Sequence, residues 1–286
     1  GILTLTPGDD FIGGELGLKV AFGARKTIPV TIITSPFING DGSEESPYEI
    51  NNAELLKKMA VLPDKHFKLT ENIDLDGILW QPIGSESSKF SGSLDGNSKS
   101  ISNINITGTT NVGLIAYTAS SAVIKDLTIS GSVTGTEYVA GIVANNAGTI
   151  SNCNANNVNV TGENFLSGTV AKNDGTITGS TPIDILSFTN FPSLISEIKT
   201  MVTKPLNYTP ATAVATIVQE PEKVTASISG SSLVLTPQTG FTSADMTVIV
   251  TLGKVSSVEK AIKLFSEEQF DNGDGTAASP FTISKA

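Results

Sequence analysis

Apolar and polar residues alternate along most of this chain, and the spacing of the apolar positions changes three times. From Leu3 to Thr34 the period is two, as in strands: Leu3 and Leu5, then Leu16, Leu18, Val20 and Phe22, then Ile28, Val30 and Ile32, separated by Gly and Asp turns. Three such strands are too few to close a sandwich. Residues 53–62 then carry helical spacing. Asn51 or Asn52 is placed to cap the free amides, Glu54 sits in the first turn, and Leu55, Leu56, Met59 and Leu62 share one stripe before Pro63 and Asp64 end it. Short strands are expected next at Phe67 and Leu69, at Ile73 and Leu75, and at Trp80 and Ile83.

From Phe90 a finer period takes over. Val112-Gly113-Leu114-Ile115-Ala116, Val139-Ala140-Gly141-Ile142-Val143-Ala144 and Leu166-Ser167-Gly168-Thr169-Val170-Ala171 recur about every 27 residues, the range of stacked β coils. A second spelling accompanies them: Ile101-x-x-Ile104-x-Ile106, Ile124-x-x-Leu127-x-Ile129 and Ile150-x-x-Cys153-x-Ala155. Read as equivalent, these predict columns of like side chains inside a parallel β-helix, Ile104 over Leu127 over Cys153 among them, with Asn103, Asn105, Asn152, Asn154 and Asn156 facing out. Such a rod ends in bare strand edges. The helix at 53–62 is expected to cover one end and the C-terminal domain the other.

After Ser180 the texture becomes that of Pro-punctuated sandwich strands: 185–188, 214–218, 224–228, 233–235, 246–252 and 261–265, with a tight hairpin at Ser229-Gly230-Ser231-Ser232 and a short helix within 193–203. The fold class expected is all-β, a short parallel β-helix with one capping helix followed by an immunoglobulin-like β-sandwich. The beginning of the chain also returns near its end. Leu3-Thr4-Leu5-Thr6-Pro7, Phe11, Val20 and Gly23 reappear as Leu233-Val234-Leu235-Thr236-Pro237, Phe241, Val250 and Gly253, and Phe37 to Ile50 reappears as Phe270 to Ile283. A period of about 230 residues is that of a domain pair in a longer array. The boundaries that follow are 1–35, the last strands of a partial immunoglobulin-like module; 36–180, the β-helix with its N-terminal cap helix; 181–267, the sandwich; and 268–286, the start of a next β-helix.

Composition narrows the partners. A formal charge of -10 repels nucleic-acid phosphates and anionic lipid, so nucleic acid is excluded as a partner. Cys153 is the sole cysteine, which rules out an internal disulfide. Nothing reads as a membrane-crossing segment or a leader, no direct membrane insertion is expected of this chain, and Gly1 reads as a processing boundary.

The run Gly40-Asp41-Gly42 through Pro47-Tyr48-Glu49-Ile50, then Asn72-Ile73-Asp74-Leu75, Trp80-Gln81-Pro82-Ile83-Gly84, Phe90-Ser91-Gly92 and Leu94-Asp95-Gly96-Asn97 resembles surface proteins of Bacteroidetes that carry GLUG-type β-helix repeats. The GLUG signature itself is similar to residues 139–150, and 233–237 with Gly240-Phe241 resembles the tail of bacterial immunoglobulin-like modules. The resemblance spans 37–180 and implies a secreted or cell-surface, adhesin-like protein with no catalytic residues to carry over, anchored to lipid, if at all, through a segment outside this sequence. After Ile177 the spelling lapses into Ser180 and Pro182, and Thr169-Val170 departs from Ile-Val, so the last coil is expected to be degenerate.

Candidate chemistry is thin. Parallel β-helices also host polysaccharide lyases and hydrolases, which need clustered carboxylates with a cationic base or paired acids. Here Arg25 and His66 are the only residues of their kinds, and neither falls on the regular coils. Asp74 and Asp76 alternate onto one strand face and could hold a cation, though an outward polar face with a turn at Gly77 explains them as well. Asn39-Gly40-Asp41-Gly42 and Asn272-Gly273-Asp274-Gly275 miss calcium-loop spacing and read as turns. Cys153 reads as a small buried hydrophobe, His66 as a satisfied residue at a strand start, and Trp80 as a core plug, against an aromatic sugar-binding surface built with Tyr117 or Tyr138. The expectation is therefore a non-catalytic adhesin or stalk, a monomer with no cofactor, no bound metal and no assigned catalytic or ligand-binding residue. Its partner would be a host or microbial surface protein or glycan. The alternatives are a carbohydrate-active β-helix enzyme and a glycan-capture module.

Overall fold

The computed structural model describes residues 14–18, 30–34, 37 and 39–266. Residues 48–178 wind as a parallel β-solenoid of about four turns. Its first face is a six-stranded parallel sheet, Tyr48–Ile50, His66–Leu69, Ser93–Asp95, Val123–Lys125, Thr149–Ser151 and Thr176–Thr178. Five steps of about 4.8 Å make it about 24 Å long. The second face stacks Ile73–Asp74, Ser100–Thr107, Thr128–Thr134 and Asn154–Gly162. Two shorter faces follow, Thr110–Val112, Glu137–Ala140 and Asn164–Ser167, then Ile115–Tyr117, Val143–Asn146 and Val170–Asn173.

Like side chains do pile into columns, because in-register parallel strands bring equivalent residues within one strand spacing. Leu94, Ile124 and Ile150 are fully buried and Ile177 half-buried along the first face, and Val112, Val139 and Leu166 form a column on the third. The column Ile104–Leu127–Cys153 is not among them. Leu127 and Cys153 share a level, but Ile104 pairs with Gly131, which pairs in turn with Val158, while Ile101 pairs with Ile129. The cause is the turn at Gly96 to Lys99. It makes Ile101 come seven positions after Leu94, whereas Ile129 comes five after Ile124. A bulge at Gly131 then carries the strand on; its φ of 135° places the missing Cβ 2.3 Å from Ile104 O, so no other residue fits. Asn103, Asn105, Asn152, Asn154 and Asn156 are all exposed.

The predicted helix is shorter than its pattern. An α-helix holds Ala53–Lys57, with Asn52 Oδ1 accepting from Leu55 N at 2.9 Å, and tightens into a 3₁₀ turn over Lys58–Val61. Leu56 and Met59 are buried in the same cluster as Phe37, Ile50 and Phe67. Phe37 stacks on Tyr48 at 4.3 Å. The helix and Phe37 thus close the first end of the solenoid.

Residues 187–265 form a sandwich. One sheet holds Val202–Pro205, Ser232–Pro237 and Val224–Ser229; the other holds Leu194–Ile195, Lys260–Phe265, Ser243–Leu252 and Val214–Gln219. Gly230-Ser231 is the two-residue turn of the hairpin that pairs Ser229 with Ser232. The helix expected within 193–203 is absent. Leu194 and Ile195 pair as a parallel strand with Lys263 and Leu264, burying Ile195, and Val202 begins another strand, so sheet pairing outweighs the local pattern. The strand predicted over 185–188 is shorter, Ser187–Phe188, with Leu186 bridging to Leu166.

The two parts share one sheet. Val255–Ser257 pairs antiparallel with Ser243–Leu252 and, on its other side, parallel with Asn154–Gly162 of the last coil: Val160↔Val255, Thr161↔Ser256, Gly162↔Ser257. Thr181 and Leu186, in the segment that leads into the sandwich, bridge to Asn154 and Leu166, so the sandwich and its lead-in cover the second and third faces of that coil. Near the start, Gly14–Leu18 pairs antiparallel with Val30–Thr34. Residues 268–286, expected to open a next β-helix, lie outside the described residues.

Candidate functional site

Ladders of polar side chains, some buried and some exposed, tie successive coils together. In the fourth face and the turn after it, Thr118 Oγ1 donates to Asn146 Oδ1 at 2.8 Å, and Asn146 Nδ2 donates to Asn173 Oδ1 at 2.7 Å. Thr118 and Asn146 are each only 2 % exposed, so this chain of amides runs inside the turn and satisfies groups that burial would otherwise orphan. On the outside, Asp95 pairs with Lys125 of the next coil at 3.1 Å, and Asn152 Nδ2 donates to Asp126. Tyr138 and Phe165 stack at 4.7 Å with planes 6° apart, and Asn145 Nδ2 donates to Asn111 Oδ1 beside them. Both aromatic residues have left-handed backbones, φ 55° and 53°, at the same turn of successive coils.

Each residue singled out from sequence has a place. Trp80 is buried and donates from Nε1 to Leu114 O at 3.0 Å, so it plugs the core. Tyr117 and Tyr138 are half-buried, and Tyr138 spends a ring face on Phe165, so these three do not make a coplanar platform. Phe165 was legible only from its spacing of 27 to Tyr138. His66 opens its strand and shares a hydrogen bond between Nδ1 and Ser93 Oγ. Cys153 is 1 % exposed, and burial pushes its thiol up to about 11, away from the thiolate a nucleophile needs.

The acidic candidates are turn formers. Asp74 and Asp76 do not share a strand face: the strand stops at Asp74, whose Oδ1 accepts from Asn103 Nδ2 at 2.9 Å and from Asp76 N at 3.0 Å. The Asn103 amide, then the Asp76 amide, hold the Asp74 carboxyl below its ordinary range. In the Asn39 to Gly42 loop, Asp41 N and Gly42 N both donate to Ser46 O, and Ser43 donates to Asp41 Oδ1, turning the chain into the strand at Tyr48. Gly42 has φ 77°, and a Cβ there would meet the Tyr48 ring at 2.4 Å. Among the described residues no three His, Cys, Asp or Glu side chains are grouped to hold a metal ion. The second loop, Asn272 to Gly275, lies outside the described residues.

Two features were not foreseen. Glu220, Glu222 and Asp245 line a solvent-open cavity on the sandwich with Lys263. At the junction, Lys260 Nζ donates to Glu163 O at 2.9 Å and lies 4.7 Å over the Phe188 ring, and its burial lowers its pKa. Their signals in the sequence were single charges with no period to mark them.

Halomucin of Haloquadratum walsbyi is 31% identical to this chain over 166 residues, which is 52% of the chain and 2% of halomucin. A protein of Evansella cellulosilytica that carries the name Gly-rich membrane protein is 30% identical over 133 residues, 42% of the chain and 15% of that protein. Both relatives are of surface or membrane type. The chain spans a small fraction of either. No protein-family model matches it. A crystal structure from Bacteroides ovatus, named for an immunoglobulin A1 protease, aligns at a TM-score of 0.31 with 16% identity, covering 51% of this chain and 78% of that one. Among the described residues no helix is long and apolar enough to cross a membrane.

Proposed function

We propose that this chain is a modular cell-surface spacer whose coils present an adhesive face, of the GLUG-type Bacteroidetes class, and that it does no catalysis. The observation that carries the reading is the sheet shared between solenoid and sandwich. Backbone pairing at Val160 to Gly162 ties two modules that a flexible linker would leave independent, which suits an element meant to hold a distance. The surface and membrane-type relatives favour the same setting. The reading extends to tandem repetition with a period near 230 residues, in which a capped solenoid and its sandwich form the repeated unit, working as a monomer on a protein or glycan of another surface.

The test is a binding screen of the whole chain on glycan and matrix-protein arrays, repeated with Tyr138→Ala and Lys125→Glu on the coil exterior. Binding weakened by one of these variants supports the adhesive face; uniformly absent binding removes it and leaves the spacer. A second reading, processing of an acidic-residue-dependent glycan substrate, has the cavity of Glu220, Glu222 and Asp245 in its favour. Chain shortening of any polysaccharide in the array, lost in Glu222→Gln, would replace the first reading with this one.

A further inference from the structure

Gly14–Leu18 and Val30–Thr34 pair in the register Gly14↔Thr34, Leu16↔Ile32, Leu18↔Val30. In the sandwich, Ala244↔Leu264, Met246↔Ile262 and Val248↔Lys260 pair in the same way. Every one of these positions is displaced by 230 residues, the same displacement that carries Leu3-Thr4-Leu5 onto Leu233-Val234-Leu235. Two hairpins that shared nothing but alternation would agree neither in register nor in connection length, since a slip of one residue exchanges the faces of a strand. The apolar pattern agrees as well. Buried Leu233, Leu235, Met246, Val248, Val250 and Ile262 have Leu3, Leu5, Leu16, Leu18, Val20 and Ile32 as their counterparts.

In the sandwich this hairpin is flanked on both edges. Val214–Gln219 pairs with its first strand, at Ile217↔Val248 and Gln219↔Thr247, and Leu194–Ile195 with its second, at Leu194↔Lys263 and Ile195↔Leu264. Among the described residues, Gly14–Leu18 and Val30–Thr34 form a sheet of two strands with no third. A two-stranded sheet is marginal in water by itself.

We infer that Gly14–Leu18 and Val30–Thr34 are the closing hairpin of a second sandwich. The partner they fit is a stretch of the same kind as residues 181–232 of this chain, laying one strand beside Gly17 and Leu18 and another beside Ile33 and Thr34. The inference rests on register and not on the spacer reading; it would hold equally for an enzyme. It stops at the sandwich strands. Lys260, which clamps Glu163 and Phe188, has Val30 as its counterpart in the sequence, so the inference does not extend to that side-chain clamp.

The experiment keeps the whole chain and fuses a copy of residues 181–232 directly before Leu3, restoring the order found at Leu233. Amide hydrogen exchange is then followed at 14–18 and 30–34, with Ser243–Leu252 as the internal reference. Exchange at both strands slowed about a hundredfold relative to the unfused chain is expected, as for strands moved from a frayed to a packed sheet. A control fusion carrying residues 181–232 in shuffled order should leave those rates unchanged. Equal exchange in fused and unfused chains would overturn the inference, and so would equal slowing by the shuffled control. A fused copy bearing Ile195→Asp and Ile217→Asp should lose the slowing while the reference strand stays protected.

Discussion

The middle coils and the last coil have the same path but not the same interior. At the middle levels each apolar column has a neighbour above and below: Leu94, Ile124 and Ile150 are fully buried and in register. In the last coil Leu166 and Val170 stay apolar and buried, but other positions turn polar or half-exposed. Ile177 is half-buried, Thr169 lies on the level of Ile142, and Ser180 follows Leu127 and Cys153, its Oγ accepting from Cys153 N at 3.0 Å. A middle coil is templated from both sides, whereas an end coil is templated from one and must be finished by something else. Here the sandwich, through Val255–Ser257, and the segment leading into it, through Thr181 and Leu186, finish it on two faces. Thr176–Thr178 and Val170–Asn173 close their sheets with no further strand among the described residues.

The largest test of that contrast places one charge at two levels of one column. Ile124→Asp buries an unpaired carboxylate between Leu94 and Ile150 and should cost more than about 4 kcal/mol, enough to unfold a marginal domain. Ile177→Asp, at the half-exposed end of the same column, should cost about 1 kcal/mol. Urea unfolding of the two variants reads the difference, and equal losses would show that the ends are as constrained as the middle. Next in size is the seam. Ser256→Pro removes an amide from a strand paired on both sides and should cost about 3 kcal/mol. Because it uncovers the edge of Asn154–Gly162, the variant should also aggregate at concentrations where the parent stays monodisperse by light scattering.

How far the sequence reveals this architecture depends on the kind of evidence. The 27-residue spacing of Val112, Val139 and Leu166 exposed the coils, and Asn52 with Glu54 exposed the helix start, because both are local and periodic. The alignment of Ile101 with Ile124 failed because two extra residues in the Gly96 to Lys99 turn move the repeat of spelling off the repeat of structure. Leu194–Ile195 escaped because two residues carry no period, and its pairing with Lys263 and Leu264 is purely tertiary. Val255–Ser257 is the same case, yet it is the element that joins the two parts. The Tyr138 and Phe165 stack was within reach, since aromatics 27 residues apart in a coil of that length must meet.

Cys153 gives a test of intermediate size. Its thiol is raised from 9.0 to about 11 by burial, so the folded chain keeps a proton that the unfolded chain gives up. The corresponding stability is fully present below pH 9 and is lost as pH rises from 9 through 11, by about 2 to 3 kcal/mol in all. Subtracting the pH profile of Cys153→Ala from that of the parent isolates this component from the rest of the chain. A flat difference between pH 8 and 11 would mean that the column at Leu127, Cys153 and Ser180 opens to water at the end coil.

The smallest effect bears most directly on why the end coil is polar. Thr169 Oγ1 is buried with no hydrogen-bond partner among the described residues, although Thr169 N and O are both satisfied, by Ser167 Oγ and by Ile142 and Val143. Thr169→Val keeps the shape and removes an unpaired hydroxyl, so it should stabilise by about 1 kcal/mol. The reciprocal change, Ile142→Thr, puts the same hydroxyl one level inward and removes a methyl from a column covered on both sides, and should cost about 2 to 3 kcal/mol. If polarity at the end were required for docking the sandwich, the two changes would not behave as a pair: Thr169→Val would then destabilise and would raise exchange at Val255–Ser257. Opposite signs, with the exchange of that strand unaltered, instead identify the end coil as a level where selection for like-on-like packing relaxes because the sandwich supplies the cover.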